Sequence, residues 1–297
     1  MTDSPDLVQI ASDRLSAAIC PLGAELQWLK DADGRDLLWD GDPAFWTGRA
    51  PILFPVVGVV RDGVIRVNGR AYPMAKHGFA RRRTFALVDQ SATAATFRLE
   101  ADAETLAAYP FRFRLDLRFA IEGAALSIGA ELSNPMDRPL PASFGFHPAF
   151  RWPLPGSGDR SEHRVMFDQA EAAPNRRIGG DGLLRAAPEP TPVDGRTLAL
   201  ADSLFEDDAL IFDRLSSRGL TYGPPSGPSL RVEFPGMPLL GIWTKPGAGF
   251  LCIEPWQGIA DPTGYGGEYR DKPGVIEVAP GATQVFAIWI VSEAGSF

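Results

Sequence analysis

Two cysteines in 297 residues, Cys20 and Cys252, exclude a disulfide framework and leave no C-x-x-C spacing for a structural zinc. A basic excess is missing too. With a formal net charge of -8 and a sequence pI near 5.0, the chain offers no basic face to nucleic acid or to an anionic membrane surface. No apolar run approaches the ~20 residues that cross a bilayer, and no Gly-rich stretch has the spacing of a phosphate-binding loop. The start, Met1-Thr2-Asp3-Ser4-Pro5-Asp6, is acidic and lacks an apolar segment, so no secretory signal is expected and a reducing cytoplasm fits the two thiols. Fixed-period repeats and low-complexity segments are absent as well.

What is present is apolar residues at 45%, with 31 Gly and 27 Pro dispersed along the chain rather than gathered into a linker. That distribution predicts an all-β protein, many short strands between turns, in a single domain over 1–297. The early segments Leu7–Ile10, Leu15–Ile19 and Glu25–Leu29 read as a meander, followed by a strand at Leu37–Trp39. Asn68-Gly69 between two apolar segments is a strong hairpin signal. From Phe111 to Phe119 apolar and charged residues alternate, which is a strand with one buried and one wet face. Ala101–Leu106 is the best helical segment. Val285–Val291 reads as a closing strand buried on both faces.

Only three histidines occur, and two of them stand in unusual frames. In Ser143-Phe144-Gly145-Phe146-His147-Pro148-Ala149-Phe150, the period of a strand puts Phe144 and Phe146 on one face and Gly145 with His147 on the other. Pro148 ends the strand, so His147 belongs at its end. A histidine alone in this position is more commonly a core group satisfied by a backbone carbonyl. His77, in Lys76-His77-Gly78-Phe79-Ala80-Arg81, also stands beside Gly and Phe, whereas His163 lacks such a frame and reads as a surface residue. Phe250-Leu251-Cys252-Ile253-Glu254-Pro255-Trp256-Gln257-Gly258 repeats the device with a carboxylate: an apolar strand delivers Glu254 beside Trp256, at a desolvation cost that calls for a partner or a purpose. Asp207 and Asp208 read on their own as a solvated turn, and Arg61, at the end of the apolar run from Pro51, as either a solvated or a cleft residue.

Taken together, "KHGFAR", "GFHPAF", Asp208 and "CIEPWQG" in this order resemble the aldose 1-epimerase (galactose mutarotase) family, in its short bacterial branch, over nearly the whole chain. The resemblance implies a large antiparallel β-sandwich with an open cleft, no cofactor, no metal, and a small-molecule sugar as partner to a monomer or homodimer. It implies that Glu254 is the general base and His147 the general acid. His77 and Asp208 would bind the sugar, with Asp207 adjacent in register. Arg61 matches an arginine after the early strand, although Val60 stands where the family has asparagine. Arg81 is similar to arginines of the hexose-6-phosphate mutarotase branch, and Trp256, Phe79 and Phe150 offer apolar faces to a sugar. The chemistry suits the residues: opening a cyclic hemiacetal takes a proton from the anomeric hydroxyl and gives one to the ring oxygen, which a carboxylate and an imidazole on opposite sides of a sugar can do.

Two other functions use the same fold. A hexose-6-phosphate mutarotase would engage Arg81, and a non-catalytic carbohydrate-binding protein would have no need of the base. A glycoside hydrolase or lyase on a related sandwich would pair Glu254 with Asp208 as facing carboxylates, but the frame around His147 fits epimerisation better.

Overall fold

A computed structural model describes residues 7–294, so the acidic start at 1–6 lies outside the described residues. The protein is a sandwich of antiparallel sheets. One sheet has nine strands in the order Thr197–Ala199, Arg164–Phe167, Gly219–Gly223, Pro228–Glu233, Thr283–Ala294, Ala125–Ser133, Arg114–Glu122, Ala94–Glu100 and Ala86–Gln90. The second has Leu210–Phe212, Leu239–Trp243, Phe250–Gln257, Phe144–Phe146 and Ile52–Leu53 in order, with Ala149–Arg151 also paired to Phe250–Gln257. The sheets meet through side chains such as Phe144 stacked on Phe286 at 4.7 Å and Phe167 against Phe212 at 5.4 Å. A single cluster of buried apolar residues runs from Ile10 to Ile290.

The period-two logic of strands explains where the site lies. On Phe250–Gln257 the odd residues Leu251 and Ile253 enter the main core, while Phe250, Cys252 and Trp256 join smaller clusters on the opposite face. Glu254 shares that second face. On Phe144–Phe146 the two phenylalanines likewise point into the core, as their spacing predicts, and leave Gly145 on the side of Trp256.

Local signals are mostly obeyed. The hairpin forms between Val64–Val67 and Arg70–Pro73, with Asn68 and Gly69 both at positive φ as its tight turn requires. The helix spans Ala103–Ala108 and is entered through a capping box, Asp102 accepting from the Thr105 N–H and Thr105 Oγ1 accepting from the Asp102 N–H.

In the run from Pro51 only Ile52–Leu53 is strand, since Pro51 and Pro55 supply no ladder donors, yet the chain there stays buried. Three expectations fail. Leu37–Trp39 makes only one isolated bridge, Leu38 to Phe150, because the Asp36 carboxylate takes the N–H groups of Leu29 and Leu38 in place of a strand ladder. The closing strand is half-buried: Phe286, Ile288 and Ile290 face the core and Val285 is 57% exposed. His163 is not a surface residue but is 1% exposed, its Nδ1 donating to Asp159 O and its Nε2 accepting from the Leu154 N–H. Fully partnered within its own loop, it is a core histidine satisfied by backbone groups.

Candidate active site

On the outer face of the six-stranded sheet lies a cavity of about 270 Å³, just below the ~300–1,000 Å³ of sites for drug-sized ligands. At its base the Nε2 of His147 and the Oε2 of Glu254 are 3.0 Å apart, both side chains buried. The expectation that the two groups stand on opposite sides of a sugar is therefore corrected. They touch each other, because the strand carrying Glu254 is hydrogen-bonded to the strands on either side of the His147-Pro148 turn.

Burial sets their proton affinities. Desolvation pushes the Glu254 carboxyl well above its ordinary range; Lys76 pulls it down, Asp208 raises it, and the nearby Trp256 N–H lowers it slightly without reaching hydrogen-bond geometry. Desolvation likewise pulls the His147 imidazole down to about 3, with Lys76 and Arg81 adding to the effect and its own backbone opposing it. Both shifts disfavour charge, and the 3.0 Å contact suits one proton shared between the two groups.

His77 is placed by backbone. Its N–H donates to Gly58 O at 2.9 Å and its Nδ1 accepts from the Gly58 N–H at 3.1 Å, which leaves Nε2–H as the ring's free donor. Burial and the adjacent His147 hold it well below the usual histidine range, so it stays neutral. Gly58 is required here: at φ +73 a side chain is strained, and a Cβ would stand 2.5 Å from Ala260.

Asp208 and His77 are both non-glycine residues at positive φ, 66° and 65°. Asp208 lies on the rim in an exposed turn, as its neighbours suggest, and lines the cavity with Glu254. Asp207 points instead toward Arg185, 3.6 Å away, in an adjoining cavity. Trp256 forms part of the floor, and glycines on both flanking strands make room for it. A Cβ on Gly145 or Gly241 would meet its indole at 2.7 and 2.5 Å.

Arg81 lines the cavity and donates to Lys76 O at 3.1 Å. Arg61 does not line it: its exposed side chain donates to Tyr265 O at 3.4 Å and lies 3.8 Å from Asp62, while its backbone N–H donates to Asp261. Phe150 is wholly core and Phe79 packs against that core, so neither is a platform for a sugar.

Several lining residues have no signal in the local sequence. Trp46 stacks on His147 with centroids 4.9 Å apart and planes inclined by 26°, while Trp243 meets the same ring edge-on at 6.2 Å. An aromatic face over an imidazole favours its cationic form, against the pull of burial. Lys76, beside His77 in the sequence, has a charge that acts on both members of the pair.

Comparison with known proteins agrees with this architecture. The pattern of the aldose 1-epimerase family matches residues 6–221, a span that holds His77, His147 and Asp208 and stops short of Glu254. The chromosomal protein LacX of Lactococcus lactis is 31% identical over 283 residues, 92% of this chain and 95% of its own. A galactose mutarotase-like protein from Lactobacillus casei superposes with a TM-score of 0.89 at 29% identity, over 97% of this chain and 100% of that one. A galactose mutarotase related enzyme from Lactobacillus acidophilus gives 0.87 at 26%, over 98% of each. A sandwich whose outer sheet sets a buried carboxylate against an imidazole, together with likeness along nearly its whole length, places this chain in the aldose 1-epimerase family.

Proposed function

We propose that Glu254 and His147 interconvert the α and β anomers of a hexose or related aldose, the reaction for which the family is named. The 3.0 Å contact between His147 Nε2 and Glu254 Oε2 at the base of a monosaccharide-sized cavity carries this reading. The anomeric hydroxyl and the ring oxygen are bonded to one carbon, so an acid and a base in contact with each other can reach both.

With the pair as carboxylate and imidazolium, Glu254 takes the proton of the anomeric hydroxyl while His147 gives its proton to the ring oxygen. The bond from the anomeric carbon to the ring oxygen breaks and a carbonyl forms, leaving Glu254 protonated and His147 neutral. That is the protonation state burial favours. Rotation about the first carbon–carbon bond then presents the other carbonyl face. As the ring oxygen attacks it, its proton returns to His147 and the new anomeric oxygen takes the proton from Glu254. The starting state is restored with no proton drawn from solvent.

His77 Nε2–H and the Asp208 carboxylate orient hydroxyls, and Trp256 covers a C–H face of the ring. One cluster of core residues from Ile10 to Ile290 supports a single domain, and two buried free thiols suit a reducing cytoplasm. A second reading, a sugar carrying an anionic group such as a 6-phosphate, rests on Lys76 and Arg81: both line the cavity and neither forms an ion pair among the described residues.

Polarimetry of freshly dissolved α-glucose, α-galactose and glucose 6-phosphate tests both readings. Faster decay for neutral sugars supports the first, acceleration of the phosphate alone supports the second, and binding without acceleration makes the protein a carbohydrate-binding module.

A further inference from the structure

The proposed reaction leaves one buried group at the site without a role. Cys252 lies two residues before Glu254 on the same face of the same strand, and its partner across the ladder is Ala149, two residues after His147. One donor atom each from His147, Cys252 and Glu254 falls within 4.8 Å of the others, and all three residues are buried. The Nδ1 of His147 is itself buried and reaches no hydrogen-bond partner.

Imidazole nitrogen, thiolate and carboxylate are the donors zinc takes, at about 2.0–2.3 Å, which puts neighbouring ligand atoms of a tetrahedral ion roughly 3.2–3.8 Å apart. The His147–Glu254 separation is already at 3.0 Å, so side-chain rotation on the order of an ångström brings the set to that spacing.

Charge also balances. A divalent cation held by one thiolate, one carboxylate and one neutral imidazole makes a site of zero net charge. Binding then avoids the desolvation penalty of an uncompensated ion.

We propose that His147, Cys252 and Glu254 form an inhibitory site for a zinc-like divalent cation, entered through the sugar cavity and exclusive of sugar turnover. Coordination takes the lone pairs that accept and return the protons of the sugar, so the metal-bound protein is inactive. Chelation restores activity, because no covalent bond of the protein has changed.

The test combines zinc inhibition with direct cobalt binding, which stands independently of any activity. In the wild-type protein Co²⁺ should give a thiolate-to-cobalt charge-transfer absorption. Saturating α-glucose should diminish the band. Zinc should slow mutarotation in competition with sugar, and a chelator should reverse it. Cys252→Ser should keep the metal-free rate and weaken zinc inhibition at least about tenfold. Equal zinc sensitivity of wild type and Cys252→Ser, or the absence of the cobalt band, would overturn the site. Should the serine variant not fold, the wild-type cobalt band and its loss on adding sugar decide. A cobalt band in a protein that accelerates no sugar would uphold the metal site while sinking the mutarotase.

Discussion

Among the described residues, two carboxylate–base pairs are almost wholly buried. Glu254 meets His147 at 3.0 Å and Asp261 meets Lys272 at 2.8 Å, with every side chain nearly removed from solvent. They differ in what else holds them. Asp261 also accepts the Arg61 N–H, and its backbone bonds to Val59 O and the Leu184 N–H, so it ties together the two loops beside the cavity. The backbone of Glu254 is held in its strand, but its carboxylate takes no backbone N–H among the described residues, and both it and its imidazole partner line the cavity. Burial lowers the proton affinity of Lys272, and the Asp261 charge opposes the shift. For the other pair burial raises the carboxyl of Glu254 and lowers the imidazole of His147, so neither partner is held to a fixed charge and a proton can pass between them. A buried pair becomes reactive when its members compete for a proton and one side is open; otherwise it is a brace.

The sharpest break in this comparison comes from removing each acid. Glu254→Gln and His147→Gln should each slow mutarotation by about 10²–10⁴-fold with sugar affinity kept, because what is lost is proton transfer. The double variant should lose far less than the product, since both groups serve one event. Isothermal titration beside polarimetry reads both quantities. Full activity in Glu254→Gln would move the base elsewhere.

Lys272→Met should act on stability instead. It strands the Asp261 charge, at a cost of about 3–5 kcal/mol in urea unfolding, and adding Asp261→Asn should recover much of it. If Lys272→Met unfolds like wild type, the brace is not one.

pH separates the pairs as well. Turnover needs one proton on the Glu254–His147 pair, so kcat/KM should be level around neutrality and fall about tenfold per pH unit where a second proton binds or the only one leaves. For stability the signs are opposite. The His147 shift to about 3 contributes stability that is complete above its unfolded value of 6.5 and is lost as pH falls through 3. The raised Glu254 contributes stability that is complete below its unfolded value of 4.5 and is lost as pH rises through its folded value. Urea midpoints of His147→Gln and Glu254→Gln across pH should flatten the acidic and alkaline slopes respectively.

Trp46→Leu removes the ring face from His147. An aromatic contact of this kind is worth about 0.5–1.5 kcal/mol, so kcat should fall by roughly two- to tenfold and the His147 titration followed by NMR should move further down. The smallest effect belongs to Arg61→Ala. Its side chain is solvated, so stability should stay within about 0.5 kcal/mol and kcat/KM should not change, in contrast to Asp261 only one backbone hydrogen bond away. A large loss in that variant would place Arg61 in the cavity after all.

Much of this protein was determined by its sequence alone. Alternating apolar residues specify strands and the faces they bury, which is why Phe144 and Phe146 enter the core while Glu254 shares a face with Trp256. Asn68-Gly69 specifies its hairpin for an equally local reason, the positive φ of both residues. The residues around His147 and Glu254 carried the family as well. What only the tertiary structure decided is proximity between segments far apart in the chain. Residues 147 and 254 touch because a turn and a strand are hydrogen-bonded neighbours, and Trp46 covers the imidazole from a loop about a hundred residues earlier. His163 and His147 are alike as single residues. Their difference is a set of partners, Leu154 and Asp159 for one and Glu254 for the other, and no local pattern encodes which carbonyls, N–H groups or carboxylates the fold will bring to a ring.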